Sequence, residues 1–101
     1  MAIYNLIREG RLPVVKCDGK ILDPSFSLEI VNHSPDGFEW GYQGSGPAQL
    51  ALAILLQNTD LETAVIFHQD FKREVISSYS QNENHVLTST EVSQWLSSKK
   101  V

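Results

Sequence analysis

Apolar and polar residues alternate along the first part of the chain, as in β-strands that bury one face. The alternation predicts a short strand over residues 3–7 and a hairpin over residues 14–22. Asp18-Gly19 is a dipeptide that tolerates the positive φ angles of a tight hairpin turn. The N-terminal part is therefore predicted to form a two-stranded antiparallel unit.

A second alternating stretch follows, in which Phe26, Leu28 and Ile30 are separated by polar residues. The segment Ser34-Pro35-Asp36-Gly37 has the residue types of a β-turn, because proline fixes φ and glycine is free to take the last position. Residues 38–42 would then return beside residues 26–30. The pattern predicts a second hairpin.

The next segment is almost entirely apolar from Ala48 to Leu56, so a helix there must be covered on most sides. We expect it to begin at Pro47, with Gly46 at the N-cap and Gln49 reaching back toward the cap. This helix is predicted to be the centre of the fold or part of a subunit interface.

Two amphipathic helices are predicted after it. Thr59 and Glu62 have the spacing of a capping box for a helix that ends near Ser78, and Thr88 and Glu91 repeat that spacing for a last helix. Residues 85–87 read as a short strand, and residues 80–84 as a polar loop. The fold class is α+β: a small antiparallel-rich sheet of two hairpins and a late strand, packed on a buried central helix and two amphipathic helices.

Length and composition favour one domain over residues 1–101. The chain is 42% hydrophobic, and two cores in 101 residues would each bury too little surface. A domain this small gains stability from a homodimer interface, so we expect a homodimer. Cys17 is the single cysteine, which suits a reducing, cytoplasmic setting. The apolar stretches are too short for a membrane span, and the N-terminus lacks the features of a signal peptide.

Charge is unevenly distributed along the chain. The net charge of -4 argues against general binding to duplex nucleic acid. Residues 1–22 contain four basic and two acidic residues, whereas residues 21–71 contain seven acidic residues and no Lys or Arg. An anion held by the middle of the chain therefore needs backbone N–H groups, or basic side chains from elsewhere.

The glycine-rich segment before the central helix has two explanations. In one, Gly41, Gly44 and Gly46 let the chain turn sharply and pack closely against a buried helix. In the other, the N–H groups of Gly44, Ser45 and Gly46 join those of the first helical turn to hold a phosphate. The segment is neither a P-loop nor a dinucleotide fingerprint. Polar side chains that suit ligand binding or proton transfer flank it: His33, Glu39, Tyr42, Gln43, Ser45 and Gln49.

His33 and Glu39 are the candidates for proton transfer, because they lie on either side of the predicted turn. Each also has an ordinary structural interpretation, His33 as a hydrogen-bonded turn residue and Glu39 as a solvated carboxylate. His68 lies on the apolar stripe of its helix and is expected to be a core histidine. The three histidines lack metal-ligand spacing, so we expect neither a metal nor a cofactor.

The block NHSPDGFEWGYQGSGPAQLALAILL, with FHQDFKREVI and a closing WL, resembles a family of small proteins from bacteria, plasmids and phages. The resemblance covers most of the chain from residue 14 onward. It extends to small homodimeric ring nucleases associated with type III CRISPR systems, whose phage and plasmid relatives act as anti-CRISPRs. The resemblance implies an antiviral-defence hydrolase that cuts cyclic oligoadenylate second messengers without a metal.

Ring opening uses a ribose 2'-OH of the substrate as nucleophile, so the protein needs only to align it, move protons and stabilise charge. On this hypothesis His33 transfers the proton, Glu39 orients it or acts as a second acid-base group, and the N–H groups of residues 44–46 hold the scissile phosphate. Other side chains contact ribose or adenine (Tyr42, Ser45, Gln49) or supply positive charge (Arg8, Arg11, Lys16). Two alternatives stay open: a sponge that binds the ring without cutting it, and an inhibitor that blocks a partner protein.

Overall fold

The computed structural model describes residues 1–99, and its α+β architecture confirms the predicted fold class. Three strands and a short helix precede two long helices, after which a strand leads into the last helix. The elements are β1 (Ile3–Glu9), β2 (Leu12–Cys17), β3 (Lys20–Ile21), α1 (Ser25–Ile30), α2 (Ser45–Asn58), α3 (Leu61–Glu74), a 3-10 helix (Ile76–Ser78), β4 (His85–Thr88) and α4 (Ser89–Lys99).

The four strands form one antiparallel sheet in the order β3-β2-β1-β4. The predicted first hairpin is confirmed, and both residues of its Asp18-Gly19 turn have positive φ, at 52° and 83°. Tyr4 and Leu6 alternate with outward-facing residues of β1 and are fully buried, and their partners Val15 and Leu87 are each only 4% exposed. One face of the sheet therefore forms a wall of the core.

Helix α2 is the centre of the fold, as its composition predicted. Every residue from 46 to 55 is buried, because the sheet, α1, α3 and α4 surround the helix. The helix begins at Ser45 after Gly44, so the predicted start at Pro47 is two residues late.

Gln49 is the polar residue within that apolar helix, and its side chain is 0% exposed. Its Nε2 donates to Ser27 Oγ and to the Val31 carbonyl, each at 3.0 Å. Its Oε1 accepts from the backbone N–H groups of His33, at 2.8 Å, and Ser34, at 3.1 Å. The amide therefore fixes residues 27–34 on α2 instead of reaching back toward the cap, and satisfied buried amides of this kind specify one arrangement of the backbone.

The predicted second hairpin is wrong. Residues 26–30 lie in α1, and residues 38–42 form no strand. The Pro24 carbonyl accepts from Leu28 N–H at 2.9 Å, and the Asp23 side chain accepts from Ser25 N–H at the start of the helix. The burial of these side chains is also the reverse of that predicted for a strand, because the polar Ser27 is buried while the apolar Phe26 is 57% exposed.

The turn between these two segments is confirmed. Gly37 N–H donates to the Ser34 carbonyl at 3.1 Å, and Gly37 has a φ of 105°. This turn brings the chain back toward the start of α2 without a strand.

The remaining helix boundaries are close to the predicted ones. Asp60, rather than Thr59, is the N-cap of α3, because its carboxylate accepts from Thr63 N–H at 2.8 Å. The predicted capping box of the last helix is confirmed: Thr88 N–H donates to Glu91 Oε1 at 3.0 Å, and Glu91 N–H donates to Thr88 Oγ1 at 3.2 Å. Among the helices of residues 1–99, none has the length and apolar character that a membrane crossing requires.

Candidate functional site

The glycines before α2 permit close contacts that a side chain would prevent. Gly41 has a φ of 87°, and a Cβ there would lie 2.5 Å from Gln81 Cα. A Cβ on Gly44 would overlap the Tyr42 ring, and one on Gly46 would lie 2.7 Å from Glu39 Cβ. These contacts favour the first explanation of the segment, a sharp turn with close packing. They also position Tyr42 and Glu39 beside the start of α2.

Glu39 is held by a bidentate ion pair with Arg8 of β1. Arg8 Nη2 lies 2.6 Å from Glu39 Oε1, and Arg8 Nη1 lies 3.0 Å from Oε2. The guanidinium stacks 4.1 Å from the centre of the buried Trp40 ring, and its Nε donates to the Gln81 carbonyl at 2.7 Å. Side-chain exposure is 9% for Arg8 and 25% for Glu39. The geometry fixes both groups, since the planar guanidinium matches a carboxylate in two places.

Two cavities meet at Glu39. The first, which we call the arginine cavity, has a volume of about 280 Å³ and is lined by Arg8, Gly10, Arg11, Glu39, Gln81 and Asn82. The second, the helix cavity, has a volume of about 350 Å³ and lies at the start of α2. Its polar lining residues are Ser34, Asp36, Glu39, Tyr42 and Ser45. Glu39 thus lines both cavities.

The two cavities differ in charge. Arg8 and Arg11 give the arginine cavity two cations against the single carboxylate of Glu39. The helix cavity contains Asp36 and Glu39, and no Lys or Arg is among its lining residues within the described chain. Because two carboxylates face the start of α2, a phosphate is better stabilised in the arginine cavity than at the glycine N–H groups.

His33 is engaged away from both cavities. Its Nε2 lies 2.8 Å from Nε2 of His68, whose Nδ1 lies 2.7 Å from the Val65 carbonyl. A carbonyl only accepts, so His68 Nδ1 carries a proton, and in a neutral His68 the Nε2 then accepts from His33 Nε2–H. Burial, together with the nearby His68 and Lys72, lowers the pKa of His33. His68 is 5% exposed, which confirms its prediction as a core histidine.

The other predicted site residues are divided between the cavities, the core and the surface. Tyr42 is 40% exposed in the helix cavity, whereas Gln43 is exposed and lines neither cavity. Gln49 is buried and engaged with backbone groups, so it presents no surface to a ligand. Lys16 lies on β2 opposite Asn5 and lines neither cavity.

Sequence reasoning missed three residues of this region: Trp40 as the ring under Arg8, and Gln81 and Asn82 in the arginine cavity. The polar loop of residues 80–84 gave some signal, because irregular polar segments often carry binding residues. Its distance in sequence from Arg8 concealed the contact.

His85 lies apart from the contacting pair of His33 and His68. His85 Nε2 donates to the Ser80 carbonyl at 2.8 Å, and its ring stacks on Tyr79 with centroids 4.4 Å apart. Within residues 1–99, no group of three or more His, Cys, Asp or Glu side chains is arranged to hold a metal ion.

Comparison with known proteins gives one family. The model of a family described as "Family of unknown function (DUF6166)" matches residues 7–98, a range that contains both cavities. No curated protein and no solved structure matches the chain.

Proposed function

The chain belongs to the family of unknown function DUF6166, and we propose that it is a ring nuclease that opens cyclic oligoadenylates of type III CRISPR signalling. The observation that carries this proposal is the position of Glu39, which Arg8 holds at the wall shared by the arginine cavity and the helix cavity. A carboxylate fixed between the cationic arginine cavity and the hydrogen-bonding helix cavity suits a reaction at the phosphodiester that joins two nucleosides. A cytoplasmic location is part of this proposal, since the messenger acts there.

The scissile phosphate binds in the arginine cavity. Arg11 is exposed at this site, and the guanidinium of Arg8 keeps N–H groups beyond the three that bind Glu39 and Gln81. These donors face the charge that develops on the phosphate oxygens as the ring opens, and such donors contribute most to transition-state stabilisation.

An adjoining nucleoside binds in the helix cavity. The exposed Tyr42 ring offers a stacking surface for a base, and Ser34 and Ser45 offer hydroxyls to a ribose. The volumes of both cavities lie near the lower end of the range of about 300–1,000 Å³ found for ligand sites. Each cavity thus accommodates one nucleotide unit, and the rest of the ring lies over the protein surface.

Glu39 accepts the proton of the attacking 2'-OH. The oxygen then forms a bond to phosphorus, the bond from phosphorus to the 5'-oxygen breaks, and the 5'-oxygen takes a proton from solvent. The products are a 2',3'-cyclic phosphate and a 5'-hydroxyl. Glu39 Oε1 accepts from Arg8 and Trp40 N–H, whereas Oε2 accepts from Arg8 alone, so Oε2 has a lone pair for this proton. Because His33 lines neither cavity, the proposal assigns proton transfer to Glu39.

The test is incubation of the purified protein with cyclic oligoadenylates of different ring size in EDTA, followed by chromatography and mass spectrometry. We expect linear products that end in a cyclic phosphate. Glu39→Gln should slow cleavage by about 10²–10⁴-fold, as for loss of a general base. Arg11→Ala should slow it by about 10²-fold or more, as for loss of a charge-stabilising donor.

His33→Asn and Gln43→Ala are matched controls, because neither residue lines a cavity. Both variants should cleave at the wild-type rate. Slow cleavage by His33→Asn with full activity of Glu39→Gln would contradict the assignment of the base. Rings that stay intact and unbound would contradict the function itself.

One observation favours a sponge as the second candidate. Both oxygens of Glu39 are already engaged by Arg8, and a carboxylate that stays so engaged is a weak proton acceptor. The protein would then retain intact rings, and Glu39→Gln would change binding alone. The inhibitor alternative has less support. It would need an exposed aromatic patch for a partner protein, but Trp40 is 0% exposed and only Tyr42 of the described aromatic residues is at the surface there.

A further inference from the structure

The sheet has a second face, opposite the core, on which apolar side chains predominate. Successive residues of a strand point to opposite faces, and the register places Val86, Asn5, Lys16 and Ile21 in one row across all four strands. The core residues of the sheet belong to the other set of positions. The apolar members of this outer face are Ile3, Ile7, Leu12, Val14, Ile21 and Val86.

Four of these six side chains are exposed to solvent in the described chain, and Ile7 and Val14 are partly buried. Leu12 is 68% exposed, Ile21 66%, Val86 61% and Ile3 40%. Single exposed apolar residues are common, but a contiguous group across a whole sheet face is typical of an interface.

Charge identifies the kind of partner. On this face the strands carry one cation, Lys16, and one anion, Glu9, whereas the chain as a whole carries a net charge of -4. Two copies repel each other least through a balanced face, and Lys16 of one copy can pair with an acidic side chain of the other. A strongly basic or acidic partner would find no matching charge here.

The edges of the sheet are less suitable for pairing with another copy. β3 has two residues, and the edge of β2 beyond it contains Pro13, which has no N–H to donate. β4 has four residues and continues directly into α4. Contact through the face, not through the edge, is therefore the available mode.

We propose that a second copy of this chain packs on the outer face of the sheet, so that two sheets meet face to face between two helical layers. An interface of this kind is self-complementary under two-fold symmetry, because the same surface is used by both copies. Sheets packed in this way lie about 10 Å apart, with side chains of both inner faces interdigitated.

The size of the face sets the strength of the dimer. The four strands contain 7, 6, 2 and 4 residues. At about 3.4 Å per residue and about 4.8 Å between strands, the face covers roughly 310 Å² in projection. Projecting side chains raise the accessible area above this value, but the face is smaller than the standard of about 800 Å² per partner. The dimer should therefore be weak and sensitive to concentration.

The test is sedimentation velocity from low micromolar to submillimolar protein, with Val86→Glu and Ile21→Glu as interface variants. Each variant places a charge at both copies of the contact, so we expect the dissociation constant to rise at least about tenfold. Ile66→Glu on α3 is the matched control, because Ile66 is 60% exposed and lies away from the sheet. Far-UV circular dichroism of every variant verifies its fold.

The wild type and Ile66→Glu should form a dimer of twice the 11.3 kDa chain mass, and the two sheet-face variants should dimerise at least about tenfold more weakly. A wild type that stays monomeric at every concentration would overturn the proposal. A dissociation constant that is unchanged in both sheet-face variants would overturn it as well. Neither outcome bears on nuclease activity, so the two proposals fail independently.

Discussion

The ion pair of Arg8 and Glu39 should make a measurable contribution to the free energy of unfolding. Exposed ion pairs contribute about 0–1 kcal/mol, whereas removing one partner of a buried pair costs about 3–5 kcal/mol. With side-chain exposures of 9% and 25%, this pair lies between those cases. Glu39→Gln should therefore lower the free energy of unfolding by about 1–2 kcal/mol.

Arg8→Met should cost more, about 2–3 kcal/mol, because the guanidinium also stacks on Trp40 and donates to the Gln81 carbonyl. The double variant should lose less than the sum of the two single variants. We expect a coupling energy of about 1–2 kcal/mol, since the ion pair is already broken when the second partner is replaced.

The assay is urea unfolding followed by far-UV circular dichroism and by tryptophan fluorescence. The fluorescence reports on Trp40 beside this pair and on Trp95 beside Lys99 and Glu74. Lys99 and Glu74 form a matched control pair, because their side chains are more exposed, at 28% and 45%. Their coupling should be clearly smaller. A coupling between Arg8 and Glu39 no larger than that of the control pair would refute the reasoning.

Two further predictions concern the segments around the site. Gly41→Ala should lower the free energy of unfolding by about 2–5 kcal/mol in urea titrations, because the new Cβ adds strain at positive φ and clashes with the Gln81 backbone. Gly37→Ala adds the strain without the clash and should lower the free energy of unfolding by less. Equal losses in the two variants would contradict the role of the clash. Burial and the neighbouring His68 lower the pKa of His33 below its ordinary 6.5 in the folded protein. Because the unfolded chain then binds this proton more readily, the free energy of unfolding should fall as the pH drops below 6.5. His33→Asn should flatten that part of the pH profile in thermal melts, and an unchanged profile would contradict the shift.

The parts of the fold that depend on residues close together in the sequence were predictable from it. The Asp18-Gly19 turn requires only local backbone chemistry, and so does the capping box of Thr88 and Glu91. The centre of the fold was also predictable, because a helix as apolar as α2 must be covered on most sides.

Helix α1 could not be predicted in this way. Its six residues are too few to show a helical period, and three alternating apolar residues match a strand equally well. What distinguishes the two is a contact distant in sequence, because Gln49 of α2 binds Ser27 and Val31 and holds the segment in place.

The candidate site was predictable in part. The absence of Lys and Arg between residues 21 and 71 left backbone N–H groups or basic side chains from elsewhere to hold an anion, and Arg8 and Arg11 do line one cavity with Glu39. The approach of His33 to Glu39 depended on a hairpin that does not form, and His33 instead contacts His68, 35 residues away in sequence. Sequence periodicity carries no information about such a contact.

The most direct test of the proposed nucleotide site is an NMR titration of isotope-labelled protein with a cyclic oligoadenylate in EDTA. The Nε–H resonances of Arg8 and Arg11 and the backbone resonances of Glu39, Tyr42 and Ser45 should shift together and saturate. Glu39→Gln protein should keep the ring intact during the titration and show shifts in the same region. Shifts confined to another surface, or none at high ligand concentration, would contradict a nucleotide site around Glu39.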